Sequence, residues 1–368
     1  MVDLKPEFKT ARDFSARSAE NSVKKVKIGS IKTNIELIKE KVYQLLEYMR
    51  HKEKSILRKL FYTLLIFLMA KGVVFSQEKR IVIVKSSESL SFQMAAEGVK
   101  KEIRKGNAHP SFIEYDLPLG FPDEQEIENS IRQLDPDLII TIGSKSTALV
   151  SKRIKEIPIV FSAVLNPVSS GFARSMWSSG NNLTGASLDI PIRTQLDKFK
   201  LIFPDLQNVG VIFTQDSEAA VAEARKVCDN IGLKLVAIAI SSEKQIPQTI
   251  ESLRQKVDGL WAVADTVIFT PQSTQYLLLY TLRNGIPVMG PFTSFVKAGA
   301  LFTLTWNDKD IGRQAGELAL KVLAGEHPSQ IPITTPRMIY LILNQRTAEQ
   351  INLEIPPHIV SVAKEVYQ

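Results

Sequence analysis

From about residue 79 onward, short and continuously apolar runs alternate with amphipathic stretches, and this rhythm leaves few folds open. It is clearest from Asp135 to Pro167, DPDLIITIGSKSTALVSKRIKEIPIVFSAVLNP. There an apolar run (138–142) ends in the turn Gly143-Ser144-Lys145-Ser146-Thr147, a helical pattern follows, and a second apolar run (157–161) closes the unit. Strands without an alternating polar face are buried on both sides, so they belong to a mostly parallel sheet covered by helices on each face. The series begins with strands at 81–84 and 111–115 and helices at 89–105 and 124–134. After a less regular stretch, 164–207, it restarts with strands at 209–213, 234–240, 259–263, 286–289 and 300–304 and helices at 217–231, 243–256, 272–283 and 309–323, before a last apolar run at 338–343.

The two series superimpose. IVIV at 81 matches VGVIF at 209, DLIITIG at 137 matches DGLWAVAD at 258, and IPIVF at 157 matches IPVMG at 286, at offsets of 128, 121 and 129. Two copies of one βα architecture joined by an irregular connection are the plan of a bilobed protein that closes by hinge motion. Two unrelated doubly wound domains are the competing reading. The expected division is lobe 1 at 77–165, a connection and hinge at 166–207, lobe 2 at 208–335, and a C-terminal segment at 336–368 returning to lobe 1.

Charge is unevenly placed. The net +7 arises in residues 1–80, which carry 18 Lys/Arg against 9 Asp/Glu, whereas 81–368 carry 28 against 30. A folded part without basic excess has no footprint for a phosphate backbone, so nucleic acid is not an expected partner. Within the N-terminal part, Arg50, Lys52, Lys54, Arg58 and Lys59 precede an uncharged, mostly apolar run at 60–70, and Val74-Phe75-Ser76 suits a cleavage site. That order predicts a signal peptide at 49–76. The run is shorter than the roughly 20 residues of a spanning helix; an uncleaved, membrane-anchored leader is the minority reading. Ile31, Ile35, Ile38, Val42, Leu45 and Met49 follow helical spacing, and residues 1–48 are expected to be an extension upstream of a start at Met49. The one cysteine, Cys228, makes no internal disulfide, and His51, His109, His327 and His358 lie outside chelating spacing of one another, so neither metal nor other cofactor is expected.

The stretches IPIVFSAVLNPVSSGF (157–172), GNNLTGASL (180–188), VGVIFT, VDGLWAVADT, the segment 287–301 around IPVMGPFTSFVKAGAL, IGRQAGELALKVLAGEHPSQIPI (311–333) and LILNQRTAEQINLEIP (341–356) together resemble the ABC-transporter substrate-binding family whose best-understood members bind tryptophan or tyrosine. The resemblance implies a type I periplasmic-binding fold: an α/β protein of two Rossmann-like lobes with parallel sheets joined by a hinge, here preceded by an export leader. It also implies a small-molecule ligand between the lobes and an ABC permease in the membrane as partner. The chain departs from the family at Asn166-Pro167-Val168 (usually Asp-Pro-Val), Ser87-Glu88-Ser89 (usually a His-Pro) and Asp308-Lys309 (usually Asp-Tyr). All three fall in or near the expected cleft, so the resemblance does not assign an aromatic ligand.

The candidate ligand-binding residues are Ser87, Glu88, Gly143, Ser144, Lys145, Ser146, Asn166, Thr214, Asp265, Thr266 and Trp306. The Gly143–Thr147 turn hands a parallel strand to a helix N-terminus, where amides and hydroxyls hold a carboxylate; capping of that helix is the plainer alternative. Asp265 and Thr266 hold the equivalent turn of the second half, and a carboxylate there suits the ammonium end of an amino acid, again with capping as the alternative. Ser86, Ser87, Glu88, Thr214, Gln215 and Asp216 follow the first strands of the two halves. Trp306 offers a stacking face or a packing element.

No G-x-S-x-G elbow, Walker loop or G-x-G-x-x-G occurs, so no enzyme is expected. The expected function is that of an exported solute-binding protein, periplasmic or on the cell surface, that captures a small polar or zwitterionic solute. A sensory module feeding a membrane receptor is the alternative, and a hydrolase with a spatially assembled triad the remoter one.

Overall fold

The apolar runs become strands in a computed structural model, which describes residues 40, 41, 43, 44, 78–106, 110–117, 124–265 and 267–368. The expected signal peptide and most of the expected N-terminal extension lie outside the described residues; Glu40, Lys41, Tyr43 and Gln44 are helical and exposed. The described residues from 78 onward form one compact unit.

Lobe 1 is built on β1 (Lys79–Lys85), β2 (Pro110–Asp116), β3 (Leu138–Ile142), β4 (Ile159–Val164) and β5 (Leu183–Ser187), all parallel in the order β2-β1-β3-β4-β5. Helices α1 (Leu90–Ile103), α2 (Glu124–Gln133) and α3 (Ser144–Arg153) connect the first four strands. Every residue of β3, β4 and β5 is buried. In β1, Ile81 and Ile83 enter one core layer while Val82 and Val84 enter the layer on the other face, the two-residue alternation of a strand covered on both sides.

Lobe 2 repeats this order. Its strands β6 (Asn208–Phe213), β7 (Lys234–Ala239), β8 (Gly259–Trp261), β9 (Val288–Met289) and β10 (Phe302–Trp306) lie as β7-β6-β8-β9-β10. Helices α4 (Ile192–Ile202), α5 (Glu218–Ile231), α6 (Ile246–Leu253), α7 (Pro271–Arg283) and the short α8 (Thr293–Lys297) accompany them. The three sequence matches pair β1 with β6, β3 with β8 and β4 with β9, strands that hold the same place in their sheets.

Three segments differ from expectation. The stretch 166–207, expected to be irregular, contains β5 and α4. The strand Leu-Thr-Gly-Ala-Ser is weakly apolar, and its Gly185 is fixed by a neighbour: a Cβ there would lie 2.3 Å from the Phe161 carbonyl oxygen. Second, α9 (Asp308–Leu323) leaves the end of β10 and packs on lobe 1, where Ile311, Ala315, Leu318, Ala319 and Val322 join the core of α1 and β1. Third, residues 336–368 build lobe 2 rather than lobe 1. β11 (Ile339–Asn344) pairs antiparallel with β10, and β12 (Glu365–Tyr367) pairs parallel with β11, with α10 (Gln345–Gln350) and α11 (Pro357–Val362) between them.

The chain therefore passes between lobes at 188–191, at Asn307 and at 335–338. The first and third passages run side by side, Ser187 N–H donating to the Thr334 carbonyl oxygen at 2.8 Å and Thr334 N–H to that of Gly185 at 3.0 Å. The third is held to α9 by Arg337, which meets the buried Asp310 carboxylate through Nε (2.9 Å) and Nη2 (3.0 Å) and Glu317 through Nη1 (3.0 Å). These hydrogen bonds, Asp310 first and Glu317 second, raise the Arg337 pKa further above its ordinary value.

The contact of α9 with α1 is made by small residues. A Cβ on Gly312 would stand 2.0 Å from the Ala95 carbonyl oxygen, and one on Gly98 would stand 2.2 Å from that of Lys309. Backbone meets backbone there, which fixes the separation of the two helices.

Candidate functional site

In a doubly wound sheet, ligands sit outside the C-terminal ends of the two neighbouring strands from which the connections depart in opposite directions. The strand orders place that point between β1 and β3 in lobe 1 and between β6 and β8 in lobe 2. Most of the sequence-derived candidates fall at these two places.

At the first, Gly143 adopts φ 92°, ψ 158°, a conformation that β-carbon-bearing residues avoid. A Cβ there would meet Ser86 Oγ at 2.6 Å and Phe92 Cζ at 2.7 Å. The conformation brings α3 in with no side-chain cap from its own N-cap residue, and one side-chain acceptor, from Ser86, reaches its first turn. Ser86 ties the two turns together, its Oγ accepting from Ser146 N–H at 2.9 Å and its own N–H donating to the Ile142 carbonyl oxygen at 2.9 Å. Ser146 is fully buried and its hydroxyl lies 2.9 Å from the Ile142 carbonyl oxygen and 3.0 Å from that of Gly143. Its side chain therefore serves the turn itself, which corrects its assignment as a ligand contact. Ser144 and Lys145 are the exposed residues of the first turn of α3, Ser87 is half-buried and Glu88 exposed. The site thus offers the positive end of a ten-residue helix beside a polar loop.

Gly143→Ala is expected to lower stability by about 1–3 kcal/mol from backbone conformation alone. Because the clash lies inside the turn, ligand affinity is expected to fall with it. Urea unfolding and calorimetric titration check the two effects separately.

At the second point the carboxylate of Asp265 lies within lobe 2, 5% exposed. Its Oδ2 accepts from Thr214 N–H (3.0 Å), Thr214 Oγ1 (2.7 Å) and Ser217 Oγ (2.6 Å), and its Oδ1 from Val267 N–H (3.0 Å) and Ile268 N–H (3.3 Å). Burial, the largest single influence, works to raise its pKa. The hydroxyls of Ser217 and Thr214 and the amides of Thr214 and Ile268 outweigh it and hold the group below the usual carboxylate range. Five donors around two oxygens leave this carboxylate no place for a ligand's ammonium, so the ammonium jaw expected at Asp265 is corrected to a clasp joining the loops after β6 and β8. Thr214 is the other half of that clasp. Thr266 lies outside the described residues.

Asn166 and Trp306 belong to the hinge side of the site. Asn166 is exposed, has φ 48°, and donates its N–H to the carboxylate of Asp189. Trp306 ends β10, packs against core residues of both lobes, and donates from Nε1 to Asp308 Oδ1 at 3.0 Å. Asp189 itself escaped the sequence reading because a single acid after the run GASL resembles any turn residue; the position of that turn on an interlobe passage is visible only in three dimensions. Among the described residues, no group of three or more His, Cys, Asp or Glu side chains is placed to hold a metal ion.

Two topologically equivalent lobes, connected three times from their strand ends and each presenting a switch-point turn, define a bilobed ligand-binding protein. The chain belongs to the ABC transporter substrate-binding protein family, which matches residues 80–367. A tyrosine-binding protein of Clostridioides difficile is 28% identical over 285 residues, 76% of this chain and 82% of that protein. The ligand-free, open structure of a substrate-binding protein with adhesive properties from Clostridium difficile matches with a TM-score of 0.66 and 24% identity, over 79% of this chain and 99% of that one. An ABC domain from Streptococcus pneumoniae in complex with L-Trp matches with a TM-score of 0.56 and 19% identity, over 79% of this chain and 100% of that one. These structures share the type I periplasmic-binding fold expected from the sequence.

Proposed function

We propose that this protein captures a small zwitterionic solute between its lobes, outside the cytoplasmic membrane, and presents it to an ABC permease. The observation that carries the reading is the N-terminus of α3 at the β1/β3 switch point, where the N-cap is a glycine in a conformation other residues avoid and brings no capping side chain of its own. Such an end suits a carboxylate. Binding and release are then a population shift between open and closed arrangements of the lobes, in which no bond is made or broken. The tyrosine-binding relative makes aromatic amino acids the first to test.

The test is a thermal-shift screen of the amino acids. A true ligand at about 100 times its Kd adds about 2.7 kcal/mol, which for a folded part of this size raises Tm by roughly 4 °C. A screen in which no amino acid moves Tm, while the protein turns over one of the compounds, replaces this reading with an enzymatic one.

A further inference from the structure

Asp189 lies on the first interlobe passage, directly after β5. Its Oδ1 and Oδ2 share one backbone donor, Asn166 N–H, at 2.8 and 3.1 Å, and Ser187, whose Oγ accepts from Asp189 N–H at 2.9 Å, is its other polar neighbour. An ionised carboxylate has about four acceptor positions. No Lys, Arg or His among the described residues pairs with this one, and the charge that acts on it is another carboxylate, Glu223 of α5 in lobe 2. Burial, the largest influence, pushes its pKa up; the Asn166 amide and Ser187 oppose this, and Glu223 adds to it. The contrast with Asp265, saturated by five donors, is direct.

A second observation points to the same place. Two non-glycine residues lie in the left-handed region here, Ala163 (φ 58°) near the end of β4 and Asn166 (φ 48°) in the loop after it, and the pairing of β4 with β5 slips between Ser162 and Val164. Strain of this kind persists where the surroundings impose it, and it collects at ligand sites. Here it carries a lobe 1 loop to a half-buried carboxylate on the hinge.

We propose that Asp189 is the seat of the ligand's cationic group, so that the solute carries an ammonium at the hinge while its anionic end faces the N-terminus of α3. This rests on the zwitterion reading above. It moves the cation-binding role from Asp265 to a residue whose oxygens have room for it. Because Asp189 lies on a passage between lobes, engaging it links occupancy to hinge geometry.

The test uses the full chain, wild type and Asp189→Asn, titrated calorimetrically with L-tyrosine and L-tryptophan and with their des-amino counterparts, 3-(4-hydroxyphenyl)propionate and indole-3-propionate. Asparagine still accepts from Asn166 N–H, so the loop contact survives the substitution. The wild type is expected to bind an amino acid about 100-fold more tightly than its des-amino counterpart, and the variant to lose about 100-fold toward the amino acid alone, as for one desolvated charge pair. Without ligand, the variant is expected to unfold at the same temperature as the wild type or higher, since it removes a half-buried charge that has no cationic partner among the described residues. A purely structural Asp189 would give a lower unfolding temperature instead. A variant that binds the amino acid within about threefold of wild type, or keeps the preference over the des-amino compound, overturns the role of Asp189 alone. A wild type that binds neither these two nor any other amino acid of the screen overturns the zwitterion reading and this proposal with it.

Discussion

Gly312→Val is expected to destabilise the protein by at least about 3 kcal/mol, the top of the usual range for overpacking. A Cβ at this position would stand 2.0 Å from the Ala95 carbonyl oxygen, 2.7 Å from its carbonyl carbon and 2.9 Å from its Cα, all backbone atoms of α1 that no rotamer change can move. Relief requires α9 to lift off α1. That motion unpacks Ile311, Ala315, Leu318 and Ala319 from the lobe 1 core and pulls on Asp310, the anchor of the third interlobe passage. For a folded part of this size the loss corresponds to a fall in Tm of roughly 5 °C or more. Gly316→Ala, where a Cβ would meet the Glu102 Cβ at 2.6 Å and the Val99 carbonyl oxygen at 3.0 Å, is expected to cost less, because it stands further from the facing backbone than at Gly312 and adds a single methyl group. Thermal unfolding of both variants checks the order. Equal, small effects at the two positions would show that the helices are not held at backbone contact.

That contact also marks the limit of what the sequence discloses. The strands of both lobes are legible because β3, β4 and their neighbours are buried on two faces, and burial on two faces leaves unbroken apolar runs at nearly constant spacing. From those strands the switch points follow, and with them the neighbourhood of the site. The assignment of α9 to a lobe does not follow. Its apolar face at Ile311, Ala315, Leu318 and Val322 has the same period whichever sheet it covers, so a chain that returns to lobe 1 after β10 reads like one that stays. The same holds for β11, whose antiparallel pairing with β10 keeps the C-terminal segment in lobe 2.

Within the site, residue type alone does not tell a ligand contact from a structural one. Ser144 and Ser146 are two positions apart in the same turn, yet one is exposed and the other fully buried with its hydroxyl against the backbone. Asp189 and Asp265 both follow the C-terminal end of a strand in their lobe. What separates them is the number of donors each has, and that depends on Ser217 and Thr214, which are remote from Asp265 in the chain.

Asp265→Ala is accordingly expected to be a stability variant, losing about 3 kcal/mol. The substitution removes the common acceptor of the loops after β6 and β8 and leaves the Thr214 and Ser217 hydroxyls and the Thr214, Val267 and Ile268 amides to find water in a nearly closed space. The pH dependence has a definite sign. The folded state holds this carboxyl below its ordinary range, so it binds fewer protons than the unfolded state there, and its contribution is fully present above the unfolded value of about 4. It is lost as pH falls through the lower, folded value. The stability difference between wild type and Asp265→Ala, from urea midpoints, is therefore expected to be constant near neutrality and to shrink below about pH 4. An alanine variant with wild-type stability and no ligand affinity would return Asp265 to the binding site and require its five donors to rearrange on closure.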